Sequence, residues 1–386
     1  KYKITVNVFN SLIDQSEVIE ILKEAVKSAQ KLNESSQVMT NTWLFTGPPG
    51  SGRSNAAIAF AAALVCKEGG CSKCSDCMST IIGTHADVEL IKTEGLSIKI
   101  DEIRELITRA SWAPSVASYR VVVIEDSDRL TESAANALLK VIEEPGLRTI
   151  WLLCAPTLTD VLPTIRSRCR HLSLRTPSTK AVANLLIERE SIDPKTAEFA
   201  ARAAGGHIGR ARRLATDGNA KQNRSSILKL PLTIKDVTSA YKAAQFLVDA
   251  AKADALKDSE KKDEDEISKL KEAWGATGSK MVSGGAKVVK ELEKEQKSRA
   301  TRMVRDYLDR ALLDLSTLYR DILLIQSNST DSLINQDLIE EIKQLAQVTR
   351  PEQTVAKIES ILKTRRNLAH NAAPLLLIEA LMCELR

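Results

Sequence analysis

Aromatic residues are scarce: Phe, Trp and Tyr make up 4% of 386 residues. Hydrophobic residues nevertheless reach 43%, so the cores must be built from Leu, Ile, Val and Ala, a composition that suits helical packing. No apolar run approaches the roughly 18 residues that a membrane-spanning helix needs, and no membrane span is expected. No charged-then-apolar leader opens the chain, so no secretory signal is expected, and the first residue is Lys1 rather than Met, as in a trimmed start. A strong charge of either sign is also missing. The formal net charge of +5 permits contact with nucleic acid without demanding it. Seven cysteines without a leader point to reduced thiols in a cytoplasmic protein, and to a metal site rather than disulfides. At this length two or three domains are the natural expectation.

The chain is organised around Trp43-Leu44-Phe45-Thr46, followed by Gly47-Pro48-Pro49-Gly50-Ser51-Gly52-Arg53-Ser54. Strand character runs into a glycine-rich turn, and the turn opens into an alanine-rich helix from about Asn55 to Val65. Glycines let successive N–H groups point inward, and a helix N-terminus adds partial positive charge, so such a turn is built to hold phosphate. The spacing matches the phosphate-binding loop G-x-x-x-x-G-K-[ST], with Arg53 where Lys is expected. The alternative is an ordinary strand-to-helix turn. Arginine is longer, planar and forked, so the exchange keeps the charge but moves it. Nucleotide binding survives such a change more readily than hydrolysis does.

Cys66, Cys71, Cys74 and Cys77 follow directly. Two overlapping C-x-x-C steps with a further cysteine upstream can converge as a closed tetrahedral, hence structural, zinc site. A redox pair and unbound thiols are the alternatives. Cys154, Cys169 and Cys383 sit in apolar settings and read as packing residues.

Residues 86–92 read as a weak second strand and residues 100–110 as a helix. Val121-Val122-Val123-Ile124 is a strand buried on both faces, as in a parallel sheet, and Glu125 and Asp126 at its C-terminal end lie where such sheets bind ligands. These acids are candidates for organising Mg²⁺ beside the phosphate loop, the alternative being solvated acids at a strand end. A helix follows from Thr131 and stops at Pro145-Gly146. Residues 149–155 and 171–174 supply two more strands, separated by Pro163-Thr164-Ile165-Arg166-Ser167-Arg168-Cys169. The alternation predicts a parallel three-layer α/β domain over residues 1–176. Beyond it everything reads as helical: three short helices, with a domain boundary expected near 232, then long amphipathic patterns to the end. Residues 257–272 are charge-dense and read as a solvated helix, and residues 275–285, rich in glycine and serine, read as a flexible hinge.

Taken in order, the phosphate loop, the four-cysteine module, residues 121–128, Ala135-Asn136-Ala137-Leu138-Leu139-Lys140 with Glu143-Glu144-Pro145, and Ile165-Arg166-Ser167-Arg168-Cys169 resemble the clamp-loader subunits of the AAA+ family. The resemblance is to the delta-prime type of bacterial DNA polymerase III, in its actinobacterial form. It is firm over roughly residues 8–216 and looser beyond, where Asn371-Ala372-Ala373-Pro374 resembles the start of the family's last helix.

The resemblance implies an AAA+ domain with a zinc module (1–176), a small helical lid (177–232) and a C-terminal helical collar for oligomerisation (233–386) with an insertion at about 257–285. It also implies gamma/tau and delta subunits as partners, the sliding clamp and primed DNA reached through the complex, and ATP with Mg²⁺ as a ligand this chain could hold. Ser167-Arg168-Cys169 implies that Arg168 acts on the nucleotide of a neighbouring subunit, with Arg166 and Arg170 as nearby positive decoys and a surface ion pair as the alternative.

Three parts depart from the hydrolysing members: Arg53, the Glu125-Asp126 order in place of Asp-Glu, and Gly209 where a sensor arginine stands, with Arg210 one position later. The gap between Cys66 and Cys71 is also shorter than usual. The expected function is that of a stator with little or no ATPase of its own. A hydrolysing gamma/tau-type subunit and a stand-alone DNA-binding AAA+ protein are its rivals.

Overall fold

Among the described residues, the apolar runs of the N-terminal half become five strands: β1 Thr42–Thr46, β2 Val88–Ile91, β3 Arg120–Ile124, β4 Thr149–Ala155 and β5 Arg170–Ser173. They form one sheet in the order β2-β3-β4-β1-β5, with every pairing parallel. These relations come from a computed structural model, which describes residues 7–30, 39–93, 95–146, 148–273, 285–329, 333–369 and 372–386.

Side chains on a strand alternate between its two faces, and here both faces are covered. Trp43, Phe45, Val121, Val123, Ile150 and Leu152 point into one core with helices α1 (Ser16–Gln30) and α2 (Arg53–Val65). Leu44, Val122, Ile124, Trp151 and Leu153 point into the other. There they meet α4 (Ile100–Ala110), α5 (Glu132–Glu143) and Ile165 of α6 (Pro163–Arg166). This is the expected three-layer arrangement. Helix α3, Ser75–Ile82, lies beyond α2.

Asp87, just ahead of β2, is fully buried. It accepts hydrogen bonds from the backbone N–H groups of Ser115, Val116 and Ala117 and from the Ser115 hydroxyl, all within 2.9 Å. The Arg120 guanidinium stands 3.5 Å away. One carboxylate thus ties down the loop between α4 and β3. Burial works against its charge, but those backbone donors hold its pKa down at about 2.

The chain divides into two compact units, Lys1–Arg212 and Arg213–Arg386. The division falls inside the expected lid stretch, which contains α7 (Thr179–Glu190), α8 (Pro194–Ala203), α9 (Ile208–Thr216) and α10 (Gly218–Thr233). Leu228 and Leu230 of α10 pack into the core of the second unit.

Among its described residues that unit contains helices and no strand, the further helices being α11 Val237–Ala273, α12 Gly285–Gln326, α13 Ile339–Val348, α14 Pro351–Ala369 and α15 Pro374–Glu384. Helices α11 and α12 run antiparallel, since Asp258 meets Tyr307 while Asp263 and Glu266 meet Arg299. The charge-dense run is therefore helical but not wholly solvated: Arg299 and Gln296, each 8% exposed, pack against it. The flexible hinge expected at 275–285 lies outside the described residues, except Gly285, which opens α12. In the core of this unit Arg224 donates to Asp314 at 2.9 Å and also to Asn335. Fully buried Asp321 accepts the Asn335 N–H at 2.7 Å.

Candidate functional site

In a parallel sheet the C-terminal ends of the strands share one edge. The phosphate loop leaves β1 there, and Glu125 and Asp126 leave β3 there, with β4 between them. The Gly47 N–H is anchored on the β4 end, donating to the carbonyls of Ala155 and Pro156. Gly50 and Gly52 have φ of +90° and +86°, a conformation that side chains disfavour. A Cβ on Gly47 would lie 2.4 Å from Ser51 Oγ and 2.8 Å from the Leu174 carbonyl. Both ends of the loop therefore require glycine. Ser51 Oγ is buried with no partner among the described residues.

Arg53 opens α2 and folds back: its Nη1 donates to the Gly47 carbonyl at 2.8 Å. Cys154, fully buried at the end of β4, lies beneath it, with its thiol 3.9 Å from the Arg53 carbonyl. Burial pushes the Cys154 thiol up, while Arg53 pulls it down and Glu125, Asp126 and Asp128 push it further up. The charges of the loop cation and of these three carboxylates are all felt at the Cys154 thiol. Glu125 stands 3.9 Å from Lys92 and Asp126 3.9 Å from Arg129.

Asp128 is a further acid at this edge that the sequence does not mark as functional. Burial, then the nearby Asp126, raises its carboxyl above the ordinary range, while Arg129 and Arg53 oppose the shift. A third acid two residues past Asp126 was the available signal.

His207 gave no signal at all. It packs directly over the loop, so that a Cβ on Gly50 would lie 2.6 Å from the His207 ring. Its Nδ1 accepts the Arg210 N–H at 3.3 Å. The Gly206-His207-Ile208-Gly209 turn thus brings an imidazole to the phosphate loop.

Cys66 follows α2, Cys71 lies in the connecting loop, Cys74 caps α3 and Cys77 sits in its first turn. All four sulfurs lie within 4.8 Å of one another. Zinc with Zn–S bonds of about 2.3 Å in a tetrahedron places its sulfurs about 3.8 Å apart. The Cys66–Cys71 and Cys66–Cys74 separations are 3.8 and 3.7 Å. The donor set therefore fits zinc, and the short gap does not keep Cys66 away.

The N–H groups of Cys74 and Cys77 donate to Cys71 Sγ and Cys74 Sγ, each at 3.4 Å. Burial opposes ionisation of Cys66, but backbone donors, led by Cys71, bring its thiol down to about 7. Burial pushes Cys74 and Cys77 up. Gly70 makes the turn passable, because a Cβ there would lie 2.6 Å from Val8.

Arg168 lies two residues past the end of α6 at Arg166, next to the capping Ser167. Its Nη2 pairs with Glu143 Oε1 at 2.7 Å and its Nη1 donates to the Thr164 carbonyl at 2.9 Å. The side chain remains 41% exposed. Among the described residues, no hydrogen bond or ion pair joins it to the phosphate loop of its own chain.

Residues 15–178 match the family model "DNA polymerase III, delta subunit", and residues 304–386 match "DNA polymerase III, delta subunit, C terminal". DNA polymerase III subunit delta' of Bacillus subtilis is 27% identical over 336 residues, 86% of this chain and 87% of that protein. Subunit gamma/tau of Mycobacterium tuberculosis H37Rv is 32% identical over 178 residues, 44% of this chain but 31% of that protein. A solved gamma-subunit-related protein of Thermotoga maritima aligns over 94% of this chain and 98% of its own, at 17% identity and a TM-score of 0.40. Two family segments in the right order, with a delta' relative spanning nearly the whole length, decide the assignment: the chain belongs to the DNA polymerase III clamp-loader subunit family, that of the delta', gamma and tau subunits.

Proposed function

We propose that this chain is a delta'-like stator of the clamp loader. It would assemble with gamma/tau and delta subunits through its C-terminal helices, in the bacterial cytoplasm. It would assist ATP-driven loading of the sliding clamp onto primed DNA by offering Arg168 to the nucleotide of a neighbouring subunit. The observation that carries the reading is the state of the chain's own phosphate loop. Arg53 is bonded to the loop's first carbonyl and His207 stands against Gly50. A loop whose cation faces inward lacks the group that normally reaches the terminal phosphates. The extent of similarity supports the same choice over a gamma/tau type, since the delta' relative is matched over 87% of its length and the gamma/tau relative over 31%.

Bound ATP and Mg²⁺ would rest on residues 47–54 with Glu125 and Asp126 opposite. Zinc on Cys66, Cys71, Cys74 and Cys77 would act as a closed structural centre. The three-part division into sheet domain (1–176), lid (177–232) and collar (233–386) belongs to the same reading.

Arg168 would supply a guanidinium to charge growing on a transferring phosphoryl group, an effect worth roughly 10³ to 10⁵ in rate at a single site. The test is Arg168→Ala in the reconstituted complex. Folding, metal content and assembly stay intact, and clamp- and DNA-stimulated ATPase falls in part, since other interfaces keep their own arginines. Wild-type ATPase and clamp loading by that complex would return Arg168 to the role of a surface ion pair.

A further inference from the structure

Glu143 is the last residue of α5, where Glu144 caps the helix and Pro145 ends it. A carboxylate in the last turn of a helix faces the negative end of the dipole, so it is not placed there to stabilise the helix. It faces Arg168 instead, at 2.7 Å. Both side chains are open to solvent, 41% and 48% exposed, and a pair so exposed contributes about 0–1 kcal/mol to stability. The contact therefore fixes a geometry more than it holds the fold.

Arg168 Nη1 donates to the Thr164 carbonyl at 2.9 Å and the Ser167 hydroxyl at 3.2 Å, and Nη2 faces Glu143 as an ion pair. Of the five N–H donors of a guanidinium, Nε–H and the second Nη2–H have no partner among the described residues. The arginine is thus held at one side and leaves an unspent pair of donors.

We infer that Glu143 is the positioning residue for Arg168, fixing the guanidinium plane so that its two unspent N–H groups are presented to phosphate oxygens held by the next subunit. The inference rests on the trans-acting reading of Arg168. A preoriented donor needs no reorganisation as charge develops, so the benefit appears in kcat rather than in ATP binding.

The experiment compares Glu143→Ala, Glu143→Gln, Arg168→Ala and the double variant, each in the reconstituted loader with clamp and primed DNA. Glu143→Ala lowers kcat about two- to fivefold with KM for ATP unchanged, because the donors lose their fixed orientation. Glu143→Gln keeps an acceptor of the same shape and recovers part of the loss. Glu143→Ala on top of Arg168→Ala costs nothing further. Melting temperature and complex assembly stay at wild-type values in both Glu143 variants.

If Arg168→Ala lowers kcat while Glu143→Ala leaves it at or above the wild-type value, positioning is overturned and the trans-acting arginine stands. Equal losses from Glu143→Ala with and without Arg168 also overturn it. If Arg168→Ala itself has no effect, the reading beneath the inference fails.

Discussion

Arg53 Nη1 lies 2.8 Å from the Gly47 carbonyl oxygen, so the cation at the end of the phosphate loop is tied to the residue at its start. A lysine ammonium is a point charge on a flexible stem, whereas the guanidinium fork is rigid and has found a partner in its own loop.

The purified chain is therefore expected to hydrolyse ATP negligibly. Arg53→Lys alone does not rescue it, because the Glu125-Asp126 order, Gly209 and His207 against Gly50 remain. Steady-state phosphate release by the unmixed protein measures this. Turnover comparable to that of an active clamp-loader ATPase would remove the stator reading.

Metal analysis should find about one zinc per chain, as a closed four-thiolate site requires. Cys74→Ser should lose the metal, and a strong chelator should lower the melting temperature of the wild type, because metal binding is coupled to folding. Unchanged zinc in Cys74→Ser would locate the metal elsewhere.

Asp87 gives the first unit an acid-sensitive anchor. Its folded pKa of about 2 lies below the ordinary carboxylate value, so its contribution is complete above about pH 4 and lost as pH falls towards 2. The difference corresponds to about 2 kcal/mol. Asp87→Asn should cost at least about that at pH 7, since an amide replaces a charged acceptor of three backbone N–H groups. The gap from wild type should narrow near pH 3 in denaturant titrations. A gap independent of pH would show that the charge is not what holds the loop.

The second unit is expected to drive assembly. Tyr241 and Phe246 on α11, Leu362 on α14 and Leu376 on α15 are each at least 40% exposed, an apolar surface suited to neighbouring subunits. A cut near residue 232 suggested itself from the sequence, but α10 packs its Leu228 and Leu230 into the second core. A chain ending at Thr216, where α9 ends, is the better form. It should keep cooperative unfolding and fail to enter the complex on size exclusion. Retained assembly would count against the collar.

What the sequence determined alone is what local pattern and spacing control. Val121-Val122-Val123-Ile124 had to be a strand buried on both faces, Thr131 an N-cap and Pro145 a stop, because each follows from neighbours a few residues away. The Thr131 hydroxyl does accept the Ala134 N–H. The loop glycines and the cysteine spacing were legible for the same reason.

Only the tertiary structure decided which distant groups meet. Nothing near His207 announces that it lies over Gly50, nothing near Asp87 that it gathers the N–H groups of residues 115–117, and nothing near Glu143 that it faces Arg168. A charge-dense run on α11 reads as solvated until α12 brings Arg299 against it. The physical reason is common to all four. Periodicity and turn chemistry act within a few residues along the chain, whereas hydrogen bonds and charges act on whatever the fold brings within a few ångströms.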